Sequence, residues 1–309
     1  MRKRKVLMDC DPGIDDAFAI VAALREPSFE VLGIHTVSGN VSVEHTTRNT
    51  QGLLYLLNSK VPIYKGADRP LALDPIYAGN VHGENGFAGY QFADQQLNPI
   101  SNLTSLEGYY QTLSQSREAI TIIATGPLTN LGLLIKSYPQ LIEKIEAISL
   151  MGGGLKGGNI TIAGEFNFYV DPHAAKIVFE SGIPIIMAGL DVTEKARFYE
   201  EDLQYVNQHY GEVGKLLYQI AQPSITVSQR YGIGRCIAPN DVVSVLALTD
   251  EALFHAKTHE IHILTDGEGR GMSVSNTRLR DKIKPNSVVL NDVDVDAFRK
   301  TLLKKIGGS

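Results

Sequence analysis

The chain has 309 residues, 43% hydrophobic and 20% charged, a composition of ordinary globular proteins and enough length for a large core. A net charge of -5 with no basic stripe argues against a nucleic-acid partner, and no apolar run approaches membrane-spanning length. Two cysteines, Cys10 and Cys236, argue against a disulfide framework and for a reducing compartment, so a soluble cytoplasmic protein is the expectation.

Residues 1–5 are basic, but the apolar stretch after them is too short for a signal peptide and reads as the lead-in to a strand. Val6-Leu7-Met8 is that strand. It runs into Asp9-Cys10-Asp11-Pro12-Gly13-Ile14-Asp15-Asp16, with four carboxylates in eight residues. An apolar helical pattern follows from Ala17. Pro12-Gly13 is turn chemistry, so the acids gather at the carboxyl end of a strand, the edge where open α/β sheets bind ligands. Crowded carboxylates repel, and a hard oxygen-seeking cation such as Ca²⁺ or Mg²⁺ is the simplest way to hold them. Capping of the helix accounts for Asp15 or Asp16 but explains Asp9 and Asp11 poorly.

Further along, residues 29–37 read as a strand, 43–57 as a helix and 61–64 as a short strand. Residues 65–103 break the pattern and read as a lid or binding loop carrying His82. Alternation resumes with a strand at 119–124, a helix from Leu128 after Pro127, and a strand at 145–151 ending in Gly152-Gly153-Gly154. Asp171 is placed as the N-cap of the next helix, and 183–188 as a strand. Residues 200–229 read as helical, with a break or new start at Pro223. A second irregular stretch, 230–239, precedes Asn240-Asp241 and an apolar helix at 242–248. Strands at 260–265 and 287–290 and a helix from about Asp294 finish the chain. Strands alternating with helices predict an α/β fold: an open, mostly parallel, Rossmann-like sheet flanked by helices, with long active-site loops. No repeat or linker interrupts residues 1–309, so one domain is expected.

Several polar clusters share one property. Asp9 to Asp16, Ser38-Gly39-Asn40, Thr125-Gly126, Met151 to Gly154, and Asn159 through Asn167 each follow a predicted strand or precede a helix. A parallel sheet delivers all of them to one rim. Taken singly, Asn40 is also a turn residue, the glycines a loop and Asn167 an Asx turn.

In this order and spacing the motifs Asp9 to Ala17, Thr36 to Asn40, Val81 to Glu84, Thr125 to Asn130, Leu150 to Gly154 and Ala163 to Asn167 resemble those of the inosine-uridine-preferring nucleoside hydrolases. The resemblance implies a Ca²⁺-dependent hydrolase that splits the N-glycosidic bond of ribonucleosides into base and ribose. It implies that Asp11, Asp16 and Asp241 bind Ca²⁺ by carboxylate and Thr125 by its backbone carbonyl, with Asp11 also the general base. Asp15, Asn40, Asn159, Glu165 and Asn167 match ribose-binding positions. Met151 matches a residue packed near the sugar, and Asp9 one that orients the metal ligands. It further implies nucleoside salvage and a homodimer or homotetramer.

The sequence departs from the pattern at Asn240, where broad-specificity and pyrimidine-preferring members carry His. An amide cannot protonate a departing base. His82 and Tyr231 are the candidates to assist departure, and Arg235 a candidate to steady an anionic leaving group. The departure keeps open a catalytically weak or inactive nucleoside- or ribose-binding homologue. Asp9-Cys10-Asp11 also admits a haloacid-dehalogenase-like phosphatase, in which Asp15-Asp16 and Glu165-Phe166-Asn167 have no role.

Overall fold

The apolar runs of the sequence become the centre of one twisted sheet. The computed structural model describes residues 2–276 and 283–308. Its strands, in chain order, are β1 (Arg4–Cys10), β2 (Phe29–Thr36), β3 (Ile63–Lys65), β4 (Ile120–Ala124), β5 (Ile145–Met151), β6 (Ile185–Ala188), β7 (Phe198–Tyr199), β8 (Cys236–Ile237), β9 (Phe254–His259), β10 (Ile261–Ile263), β11 (Ser273–Ser275) and β12 (Ser287–Val293). Eight of them form the main sheet in the order β3-β2-β1-β4-β5-β6-β12-β9. Every pair is parallel except β12–β9. The predicted α/β fold with a mostly parallel sheet is the one observed.

The central strands carry apolar side chains on both faces because helices cover both. Val6, Met8 and Cys10 of β1 pack with the helices Ile14–Arg25, Gly211–Arg230, Val242–Thr249 and Val295–Gly307. Leu7 faces the other way, toward Ser105–Gln115, Thr129–Ser137 and Pro172–Phe179. Cys10 is fully buried, and burial pushes its thiol well above the usual range.

The chain builds outward from β1 to β2 and β3, then returns to the other side of β1 as β4, β5 and β6. The reversal lies between β1 and β4, and there the connecting loops diverge and leave a crevice at the carboxyl ends. Asp9 is in register with Ala124 across that junction, so Asp11 and Thr125 emerge side by side.

Asp171 caps its helix as expected, accepting from Ala174 N–H at 3.0 Å, and Asp294, near which the last helix was expected to start, caps that helix by accepting from Ala297 N–H at 3.0 Å. Several elements differ from expectation. Pro223 does not break its helix, which runs unbroken from Gly211 to Arg230. Proline removes one backbone donor, and the burial of Ile220, Ala221 and Ile225 holds the helix on either side of it. The break falls instead at Gly211, whose φ of +62° lies in the left-handed region. The helix Ser105–Gln115 and the edge strand β9 carried no prediction. The irregular stretch holds only a one-turn helix, Gly79–His82, and a 3-10 turn, Asp94–Gln96. Among the described residues no helix is long and apolar enough to cross a membrane.

Candidate active site

The acidic turn is tightly laced. Asp16 Oδ2 accepts the Gly13 N–H at 2.9 Å, closing the first turn of its helix, so the capping role of this acid is real. Its other oxygen accepts from Thr125 Oγ1 at 2.7 Å. Asp11 Oδ2 accepts the Asn40 N–H at 2.7 Å, whereas Asp11 Oδ1 is buried with no hydrogen-bond partner. Only glycine fits around this carboxylate. A Cβ on Gly39 would lie 2.1 Å from Asp11 Oδ2, and one on Gly126 2.7 Å from Oδ1.

Asp241, at the N-cap of the helix Val242–Thr249, brings a further carboxylate from a distant part of the chain. One oxygen each from Asp15, Asp16 and Asp241 lies within 4.8 Å of the others. Asp11 stands outside that trio but interacts electrostatically with Asp16. Burial, and then the neighbouring carboxylates, push Asp11 and Asp241 well above the usual range. Burial lifts Asp16 to about 7 against hydrogen bonds from Gly13 and Thr125, and lifts Glu165 to about 7. Burial and mutual repulsion oppose full ionisation of this set, and a cation among the carboxylates favours it.

Beside the acids is a cavity of about 230 Å³. Its buried lining includes Thr125, Met151, Glu165, Asn167 and Asp241, while its exposed lining includes Tyr77, Val81 and Ile160. Asp15, Asn40, His82, Asn159 and Asn240 also face it. The structure thus brings together most of the residues expected to bind ribose and cation, with Asp11 and Asp16 buried beneath.

The amides divide their capacity between scaffold and cavity. Asn167 Nδ2 donates to the carbonyls of Thr125 (2.8 Å) and Met151 (3.1 Å), which leaves its Oδ1 to accept. Asn40 Nδ2 donates to Asp11 O (3.1 Å) and Asp16 Oδ2 (3.3 Å), again leaving an acceptor. Asn159 Oδ1 accepts the Phe166 N–H at 2.9 Å, leaving its NH₂ to donate. Glu165 accepts backbone N–H bonds from Gly153 (2.9 Å), Asn167 (3.0 Å) and Phe168 (3.2 Å), capping the helix Phe166–Val170. An acceptor-rich set of this kind suits a ligand that offers several hydroxyls.

Beside the carboxylates, Asn240 Nδ2 donates to Asp15 Oδ2 at 3.1 Å. His82 Nδ1 accepts the Ile14 N–H at 3.1 Å. An imidazole nitrogen that accepts carries no proton, so the ring proton resides on Nε2. Burial lowers the His82 pKa while Asp15 opposes it, and the ring is held neutral.

Two candidates fall outside the cavity. Tyr231 is 76% exposed at the end of the helix Gly211–Arg230 and does not line it. Arg235 pairs with Glu200 and donates to Gln229 Oε1 at 2.8 Å on the surface. Sequence reasoning did not single out Tyr77, Asn80, Ile160 or Phe166, which line the cavity, or Tyr109, which holds Asp9. The lining residues Tyr77 and Asn80 sit in the long irregular stretch, whose length was their only signal.

The comparisons with known proteins agree with one another. Residues 6–300 match the family described as inosine-uridine preferring nucleoside hydrolase. The chain is 40% identical over 304 residues to the pyrimidine-specific ribonucleoside hydrolase RihA of Escherichia coli (strain SMS-3-5 / SECEC), covering 97% of each chain. The protein of the same name from Escherichia fergusonii is also 40% identical, with the same coverage. Among solved structures, a purine-preferring ribonucleoside hydrolase from Gardnerella vaginalis superimposes with a TM-score of 0.91 at 28% identity, over 99% of this chain and 98% of that one. The plant nucleoside hydrolase PpNRh1 gives 0.90 at 28% identity over 99% of both chains.

Proposed function

This chain belongs to the inosine-uridine preferring nucleoside hydrolase family, and from that premise we propose that it hydrolyses the N-glycosidic bond of ribonucleosides with the help of Ca²⁺. The observation that carries the reading is the bare, buried Oδ1 of Asp11 beside an acceptor-lined cavity.

The donor set fits a hard cation. It is all oxygen, it is crowded, and burial disfavours its ionised form unless a cation is present. Asp11, Asp16 and Asp241 would hold the ion by carboxylate and Thr125 by its carbonyl oxygen. When bound, the cation supplies Lewis acidity toward water and the sugar hydroxyls and neutralises the carboxylates.

The remaining steps belong to the chain. Asp11 takes a proton from the attacking water through Oδ1, its free oxygen. Asp15, Asn40, Asn159, Glu165 and Asn167 hold the ribose, with Met151 packed against it. As the bond to the base lengthens, positive charge builds on the sugar, and the surrounding carboxylate and amide oxygens stabilise it. His82 offers Nε2–H as a hydrogen-bond donor at the base end. Neutral and already accepting through Nδ1, it steadies a departing base rather than protonating it. Asn240 acts through Asp15, whose carboxylate it orients. The name of the 40%-identical relatives favours pyrimidine ribonucleosides as first substrates. The reading extends to nucleoside salvage in the cytoplasm by a dimer or tetramer, which light scattering after size exclusion checks.

A second reading, a nucleoside-binding protein without turnover, is favoured by one observation: an amide rather than an acid stands at Asn240. Base release from uridine, cytidine and inosine, each with and without Ca²⁺, decides between them. Ca²⁺-dependent binding with no release from any of them would overturn the hydrolase reading.

A further inference from the structure

A closed ring of hydrogen bonds leaves the chain at Asp9 and returns to it at Asp11. Asp9 is 1% exposed. Asn130, from the helix after β4, donates through Nδ2 to Asp9 Oδ2 at 3.1 Å, and also to the Thr36 carbonyl at 3.0 Å. Asn130 Oδ1 accepts the Ala67 N–H at 2.9 Å. The Ala67 carbonyl accepts the Ser38 N–H at 3.0 Å. Two residues on, the Asn40 N–H donates to Asp11 Oδ2 at 2.7 Å. One amide therefore joins the end of β1, the end of β2 and the segment after β3.

The ring has little freedom to shift. A Cβ on Gly66 would fall 2.3 Å from Thr36 O and 2.4 Å from Asn130 Oδ1. Tyr109 O–H supplies a second donor to Asp9 Oδ2 at 2.7 Å, and its ring stacks on His35 with centroids 3.7 Å apart. Neither Asn130 nor Tyr109 lines the cavity, so neither touches substrate.

We propose that Asn130 is a positioning residue: through Asp9, Thr36 and Ala67 it fixes the Ser38–Asn40 turn, and the turn aims the free oxygen of Asp11 into the site. The inference rests on the reading of Asp11 as cation ligand and base. Partners that orient metal ligands typically change metal affinity or activity about 10–100-fold when removed. A residue that merely knits loops together changes stability alone.

The test uses metal-stripped full-length protein, with Ca²⁺ affinity measured by calorimetry alongside thermal unfolding and steady-state base release. Asn130→Ala is expected to weaken Ca²⁺ binding about tenfold or more and to lower kcat with KM little changed. Tyr109→Phe keeps the stacked ring and removes one donor to Asp9, and is expected to act in the same direction but less. Wild-type Ca²⁺ affinity and kcat in a less stable Asn130→Ala would overturn the proposal. If that variant does not fold, wild-type values for both in Tyr109→Phe would overturn it. The functional reading fails on the wild type itself, by absence of Ca²⁺ binding or base release, whereas this inference fails on the variants against a working wild type.

Discussion

Removing the cation should make the protein less stable as pH rises, and Ca²⁺ should abolish the trend. Burial lifts Asp16 from 3.8 in the unfolded chain to about 7 in the fold. Between those values the folded chain keeps a proton that the unfolded chain has released, so this contribution to stability is complete below 3.8 and is lost as pH rises through about 7. A tenfold change in proton affinity is about 1.4 kcal/mol. Asp16 alone therefore accounts for about 4 kcal/mol over the whole window, of which about 2 kcal/mol falls between about pH 5.5 and about pH 8. Asp11 and Asp241 are shifted in the same direction. A cation reverses the argument, because it favours the ionised carboxylates and stabilises the fold by about 2.7 kcal/mol at a hundredfold excess over its Kd. Urea unfolding in chelator and in Ca²⁺, at both pH values, reads the effect. Asp16→Asn should flatten the metal-free slope by roughly the Asp16 share, about 2 kcal/mol. A metal-free stability that is level or rises over this range, or that Ca²⁺ leaves unchanged at the higher pH, would refute the reasoning.

Other outcomes follow from the same geometry. Asn240→His should raise kcat on at least one ribonucleoside, because an imidazole beside Asp15 can carry a proton to the leaving base; no gain, with folding and Ca²⁺ affinity intact, counts against a missing acid as the limiting deficit. Kinetics on 2′-deoxyuridine against uridine should show kcat/KM lower by about 10⁴, since buried acceptors and cation are left without their hydroxyl. A ratio within about tenfold would remove the role given to the amide oxygens. Gly39→Ala should cost about 1–3 kcal/mol in unfolding free energy and weaken Ca²⁺ binding, because the new methyl meets Asp11 and Pro127. Unaltered calorimetric affinity would show that Asp11 is free to move aside.

The acidic turn was legible because everything it needs is contiguous: an apolar strand, Pro12-Gly13 and a helix. The shared rim was legible because a parallel sheet places the loop after every strand on one edge. Contacts made at long range were not. Asn130 and Tyr109 lie 121 and 100 residues from Asp9, and Asn240 lies 225 from Asp15, so no local pattern announces these contacts, even where a motif marks Asn130 and Asn240 themselves. The helix Ser105–Gln115 did leave a signal, since Thr104 and Glu107 form a capping box. Strand β9 left little, because four of its six residues are exposed at a sheet edge and carry no apolar alternation. Pro223 is the opposite case, a strong local mark overridden by the packing around it.

The hydrogen bond from Ile14 N–H to His82 joins two parts of the molecule with different duties. One is the first turn of the helix that carries Asp15 and Asp16; the other is the short segment at the mouth of the cavity. Whenever that segment withdraws, the Ile14 amide loses its acceptor and meets water. Its hydrogen–deuterium exchange rate is therefore a built-in gauge of the segment's position, readable without substrate, label or turnover, and slow only while the imidazole is seated.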